Sequence, residues 1–273
     1  MDLIGLDIGF SASRRTSGVA RLSGSNLTLG RATSSWESRV ELIGSSVKAD
    51  IAAIDGPLLR ELNWAIRTCE RIFTLGLFQR RCKPGLSHVR GTGREFREAG
   101  EKTAKQLSDV VSGHNLASEF PRVWESRNLV EAFPNAFLGV LIPHGRFSSM
   151  PRLRRGKKFD WLYEQCCDTL AFSRVVDAIG SEEVRDRLSL IEANQDHEER
   201  AALVCLLTAA AVVEGRYTAV GDEQGGYFFL PPWESWAEWA RNELDTQRRR
   251  ITSIEVWKNG ERFGTSDTLT AVA

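Results

Sequence analysis

The sequence predicts an α/β protein built on a mixed sheet, and three observations carry that expectation. Two apolar runs end alike: Leu3-Ile4-Gly5-Leu6-Asp7-Ile8-Gly9 and Ile51-Ala52-Ala53-Ile54-Asp55-Gly56-Pro57 each read as a buried strand closed by an aspartate and a glycine. The links among the first three strands are too short for parallel crossovers, so those strands form an antiparallel meander. Residues 51–55 then lack polar alternation, as expected of a strand covered on both faces.

Each element has a local reason. Phe10 to Arg15 is small and polar, a hairpin turn leading to a strand at Ser17 to Leu22. Ser23-Gly24-Ser25-Asn26 is a second turn, and Leu27-Thr28-Leu29 begins a third strand. Trp36, Val40, Ile43 and Val47 recur at helical spacing, and this helix returns the chain to a parallel fourth strand. Leu58 to Leu77 reads as one helix, with Leu59, Leu62, Ile66, Cys69 and Phe73 along a face. From about 79 to 122 the pattern weakens into an irregular, partly helical insertion. Leu129 to Pro134 is a short strand followed by a helical turn through Leu141, and Phe159 to Ile179 is a single amphipathic helix. Ser181 offers an N-cap, and Asp196 to Glu214, the most apolar helix, ends at Gly215 as a C-cap. Strands at 217–220 and 227–230 precede a tryptophan-rich helix over 233–250 and a hairpin turning at Asn259-Gly260. The chain thus divides into a core domain over 1–232 and a helix-and-hairpin segment over 233–273 packed on it.

Composition narrows the function classes. The chain has 273 residues, enough to bury a large core, and 36 basic residues balance 36 acidic ones, so no global field marks a polyanion or membrane partner. Five cysteines without CxxC spacing argue against a zinc site or a disulfide framework and suit a reducing compartment. Acidic Asp2 replaces the basic start of a signal peptide, and the longest apolar run, Ala201 to Val213, is too short to span a bilayer. The expectation is a cytoplasmic protein.

A carboxylate in a buried strand needs a partner or a metal. A meander, a helix and a parallel fourth strand form the opening of a ribonuclease H-like core, in which Asp7 and Asp55 lie side by side at adjacent strand ends. Two adjacent carboxylates repel unless a cation lies between them, and Mg2+ or Mn2+ suits oxygen ligands. An acid from the late helix would complete a site for two-metal phosphodiester hydrolysis. Asp196, His197, Glu198 and Glu199 crowd the start of that helix, although acids in a first turn are also ordinary complements of the helix dipole.

Gly5-Leu6-Asp7-Ile8-Gly9, Ile54-Asp55-Gly56-Pro57, Glu131-Ala132-Phe133-Pro134 and Asp196-His197-Glu198-Glu199 before Ala202-Leu203-Val204 follow one another in an order that resembles the domain-of-unknown-function 429 family. That family comprises predicted nucleases of the ribonuclease H-like superfamily, and the resemblance covers residues 1 to 232. It implies catalytic roles for Asp7, Asp55, Glu131 and Glu198, with metal held by Asp7, Asp55 and Glu198; Asp196, or His197, is the candidate to stand in for the family's second late-helix acid as a metal ligand. The family's late helix presents two aspartates three residues apart; Glu198 takes the first place and Ala201 the second, a departure that bears on metal affinity. Glu131 reads equally as a ligand or as the partner of an arginine.

Two basic tracts, Arg80-Arg81-Lys83 and Arg152-Arg154-Arg155-Lys157-Lys158, are the candidates for gripping DNA or RNA phosphates, or else solvated loops. Trp233, Trp236 and Trp239 make a stripe more typical of a packing face than of a ligand box. Two other classes fit parts of the chain. An actin-like ATPase or sugar kinase also opens on a strand-Asp-Ile-Gly hairpin, but the chain is short for two related halves. A binding module with a degenerate site would account for Ala201.

Overall fold

In the computed structural model the described residues are 1–45, 47–58, 66–82, 87, 91–108, 110–111, 129–153 and 156–264. Among them the strands are β1 (Asp2–Asp7), β2 (Ser17–Ser23), β3 (Asn26–Ala32), β4 (Ile51–Asp55), β5 (Leu129–Ala132), β6 (Thr218–Asp222), β7 (Gly226–Leu230), β8 (Glu255–Lys258) and β9 (Glu261–Arg262). They form one mixed sheet in the order β3-β2-β1-β4-β5-β7-β6-β8-β9. The first three strands are the antiparallel meander that their short links require. Strands β4 and β5 run parallel to β1, and β7 continues the parallel set through Ala132 and Phe229. The last four strands extend the sheet antiparallel to one another, as the hairpins β6–β7 and β8–β9 joined by pairing of β6 with β8.

The helices are α1 (Trp36–Ile43), α2 (Thr68–Phe73), α3 (Gly76–Arg81), α4 (Thr92–Leu107), α5 (Pro134–Leu141), α6 (Lys157–Asp168), α7 (Ala171–Ile179), α8 (Glu182–Arg185), α9 (Leu188–Ala193), α10 (His197–Val213) and α11 (Glu238–Arg250). No described helix is long and apolar enough to cross a membrane. All five cysteines are free thiols.

Alternation along the strands sorts side chains into two cores. Leu3, Ala20, Leu22, Ile51, Ala53, Val130 and Ala132 join the core filled by α10 and α5. Ile4, Leu6, Ile8, Val19, Ala52, Ile54 and Leu129 face the other way, against Ile43 of α1 and Ala104 and Leu107 of α4. β4 is therefore apolar on both faces, as its sequence predicts.

Helix α10 lies on the sheet backbone itself. A Cβ on Gly5 would overlap the Ala202 carbonyl and the Leu206 amide, and one on Gly18 would overlap the Glu198 carbonyl. Glycine inside a strand commonly marks such an approach. Gly5→Ala is expected to lower stability by about 2–3 kcal/mol through overpacking, read as a lower urea midpoint at unchanged slope. An unmoved midpoint would contradict this seating of α10.

Several predicted helices are interrupted. The helix expected over Leu58 to Leu77 appears, within the described residues, as α2 and α3 broken before Gly76, whose φ is +51°; residues 59–65 lie outside them. The helix expected over Phe159 to Ile179 breaks at Leu170, which adopts a left-handed φ of 54° and is exposed. Apolar periodicity continues across that break and so hides it. The tryptophan stripe begins in a 3-10 turn, Trp233–Ser235, and only Trp239 belongs to α11. Trp236 and Trp239 are buried and donate to Pro231 O and Ile142 O, so this is a packing face. Ser181 stands at the start of α8 but its hydroxyl makes no cap, bonding Glu183 instead. Gly215 closes α10 with a φ of +64°, as expected. The predicted insertion over 79–122 contains α4, and residues 112–128 lie outside the described set.

Candidate active site

From β1 the chain leaves toward β2 and β3, whereas β4 continues toward β5 on the other side. Such a reversal opens a crevice at the carboxyl ends of the parallel strands, where ligands of α/β sheets bind. Asp7 and Asp55 end β1 and β4 and are partners in register there. They alternate with Leu6 and Ile54, so both side chains leave the face covered by α10.

The first turn of α10 overlies this pair. Gly18, the antiparallel partner of Asp7, makes room for the Glu198 backbone. The sheet thus brings Asp7, Asp55 and Glu198 together from positions nearly 200 residues apart in sequence.

Neither strand carboxylate has a hydrogen-bond or ion-pair partner among the described residues, and both are only partly exposed. Burial pushes the Asp7 carboxyl up to about 7, Glu198 adds to the rise, and His197 and Arg39 oppose it. Asp55 is raised well above the usual carboxylate range by burial, then by Asp7 and Glu131. Burial and neighbouring acids thus work against ionisation of both carboxyls, a penalty that a bound cation would relieve.

Arg39 supplies positive potential from beneath. It is buried, and donates to Thr103 Oγ1 at 2.8 Å, Gln106 Oε1 at 3.0 Å and Ser17 Oγ at 3.2 Å. Burial lowers its pKa to about 10, with Asp7 opposing the fall, so it stays cationic at neutral pH. The Ser17 hydroxyl also accepts from the Gly9 amide at 2.9 Å, tying Arg39 to the turn that follows Asp7.

The other proposed ligands lie differently. Asp196 is the N-cap of α10: its Oδ1 accepts from the Glu198 and Glu199 amides at 3.1 Å and its Oδ2 pairs with Arg31 at 3.3 Å. Its carboxylate is committed to the helix end, the ordinary role of a first-turn acid. Glu131 pairs in register with Ile54, not Asp55, which puts its side chain on the opposite face of the sheet. There Arg67 grips it through two 2.7 Å bonds, the fork geometry of guanidinium and carboxylate. Arg67 also donates to Glu70 and to Gly225 O, so all its N–H groups are used. Burial raises the Glu131 carboxyl to about 7 against the pull of Arg67. Glu131 is thus the arginine-paired residue of its two readings, although its partner comes from the start of α2 and not from a basic loop. Ala201, where the resemblance implies a second late-helix carboxylate, is buried.

The basic tracts divide similarly. Arg80 is exposed, but Arg81 is buried with its guanidinium over the rings of Phe147 and Trp239 at 4.6 and 4.2 Å and bonded to His144. Arg81 therefore serves packing. Arg152 and Lys157 are exposed and Lys158 is half-buried; Lys83, Arg154 and Arg155 lie outside the described residues. Lys157 reaches the site's rim through Asp160: its Nζ lies 3.2 Å from Oδ2, while the Asp160 Oδ1 lies 2.7 Å from His197 Nδ1.

Sequence reasoning missed Asp160, Arg39 and the two seating glycines. Asp160 meets His197 across 37 residues, with no local pattern to announce it. Gly5 and Gly18 did carry a signal, because glycines inside strands ask for a close neighbour. Among the described residues no three His, Cys, Asp or Glu side chains already converge as a metal cluster. The bare pair with Glu198 nearby fits a hard cation by donor type and uncompensated charge. No family model, no curated protein and no solved structure matches this chain.

Proposed function

We propose that this chain is a divalent-metal-dependent nuclease on a ribonuclease H-like core, of the domain-of-unknown-function 429 type. The observation that carries the reading is the in-register pair Asp7 and Asp55 at the β1–β4 switch point, overlain by Glu198. The order β3-β2-β1-β4-β5, antiparallel and then parallel, supports the core assignment. Asp7, Asp55 and Glu198 would hold Mg2+ or Mn2+. Bound there, the ions would activate the attacking water and stabilise the leaving oxygen of a phosphodiester. Asp196 holds the first turn of α10, and so Glu198, in place; Arg39 steadies the turn after Asp7. In this reading exposed Arg80, Arg152 and Lys157 supply phosphate contacts, Lys157 from beside His197 through Asp160, with DNA or RNA as the partner.

Buried Ala201, standing where the resemblance implies a second late-helix carboxylate, favours, as a second reading, a nucleic-acid-binding module with a degenerate site. One assay separates the two. Purified protein is incubated with labelled single- and double-stranded DNA and RNA in magnesium or manganese. Cleavage by the native chain that disappears in Asp7→Asn and Asp55→Asn supports the nuclease. Equal inertness of native chain and Asp7→Asn on every substrate overturns it.

A further inference from the structure

The turn between β1 and β2 presents an aromatic ring close to the ends of the two strands that carry the aspartates. Phe10 follows Asp7 by three residues, which places the two Cα atoms within about 11 Å. Its ring is 46% exposed, one of few large apolar side chains so exposed among the described residues. Phe96 of α4 braces it edge-on, with ring centroids 6.1 Å apart and planes at 71°. Phe96 itself sits against the end of β4, since a Cβ on Gly56 would lie 3.6 Å from its Cε2. The two rings thus stand beside the residues that follow both aspartates.

The turn is held in shape. Ser34 N donates to Ser11 O at 2.9 Å, Arg14 N donates to Ser11 Oγ at 2.9 Å, and Arg31 Nε donates to Arg15 O at 2.9 Å. Arg31 also pairs with Asp196, joining the turn to the cap of α10. The Arg14 and Arg15 side chains are exposed and have no acidic partner among the described residues. Asp196 at the cap of α10 is already matched by Arg31. An exposed ring in one turn with two exposed guanidinium groups, close to the strand ends that carry Asp7 and Asp55, suits a ligand carrying both a flat apolar face and anionic groups.

We infer that the β1–β2 turn is a platform for single-stranded nucleic acid, with an unpaired base stacked on Phe10 and its flanking phosphates held by Arg14 and Arg15. The inference rests on the nuclease reading only for the fate of the bound strand, because the platform binds without metal. A base inside a duplex has no free face for the ring, so the platform selects substrates with single-stranded character. Stacking on an aromatic ring tolerates any base.

The test is fluorescence anisotropy of short labelled oligothymidine and oligouridine strands, against a duplex of the same length, in the presence of EDTA. Phe10→Ala is expected to weaken binding of both single strands about ten- to a hundredfold and to leave duplex binding unchanged. Phe10→Trp keeps a stacking surface and should retain native affinity. It thereby controls for misfolding. Arg14→Ala and Arg15→Ala should each lower the slope of log affinity against log salt by about 0.7. Native-like single-strand binding by Phe10→Ala, or an equal loss for single strand and duplex, overturns the platform. Phe10-dependent binding by a chain that cleaves nothing in magnesium or manganese would leave the platform standing and overturn the nuclease alone. If one sugar type shows the Phe10 effect and the other does not, the strand class narrows to DNA or RNA accordingly.

Discussion

Replacing Arg67 by methionine is expected to lower stability by about 3–5 kcal/mol, because it leaves buried carboxylates without their cation. Arg67 and Glu70 are fully enclosed, and Glu131 is nearly so. Every N–H of the guanidinium is engaged, and the Ser87 amide also donates to Glu70. The network ties β5 to the start of α2 and to the turn before β7, so its loss loosens three elements together. Methionine keeps the volume but removes the charge. Urea unfolding measures the loss, and the double variant Arg67→Met/Glu131→Gln should recover part of it by removing one orphaned charge. A single-variant loss below about 1 kcal/mol would mean that the network is solvated.

Asp7→Asn is expected to act in the opposite direction on the metal-free protein. The folded-state pKa of Asp7, about 7, lies above its unfolded value of 3.8, with burial as the main cause. Below the unfolded value both states are protonated and the group has no effect. Between the two values the folded state holds a proton that the unfolded state has released, so stability falls as pH rises through that window. Above about 7 the destabilisation is complete. Asparagine carries no charge, so Asp7→Asn should gain about 2 kcal/mol at pH 8, roughly a 5 °C rise in melting temperature. Loss of the attraction to Arg39 keeps the gain below the full shift. Manganese should raise the native melting temperature more at pH 8 than at pH 5 and leave the variant unmoved. A variant less stable than the native chain at pH 8 would show that Asp7 is not an uncompensated charge.

What the sequence revealed follows from the range of the interactions involved. Short links and turn formers are local, so the meander, the parallel fourth strand and the hairpin at Asn259-Gly260 were readable. Asp7 and Asp55 were readable as a pair because two buried strands ending in the same residue must register side by side once they are neighbours. Glu131 was not. Its face depends on a one-residue offset in the β4–β5 register, and period-two alternation turns that offset into the opposite side of the sheet. The break at Leu170 was invisible because only its backbone, not its hydropathy, departs from a helix. Asp196 was ambiguous in the sequence because capping and metal binding ask for the same carboxylate. The 3.1 Å bonds to the α10 amides show which task it performs.

The glycine seat beneath α10 has a bearing on how this chain can change over time. Contact at Gly5 is main chain against main chain, and at Gly18 the Glu198 carbonyl comes nearest, so the height of Glu198 above the two aspartates is set in part where no side chain intervenes. Exchanges among the core leucines, valines and phenylalanines are therefore expected to disturb that height less than a side chain at Gly5 or Gly18, so these two positions constrain the site more tightly than the apolar interior does.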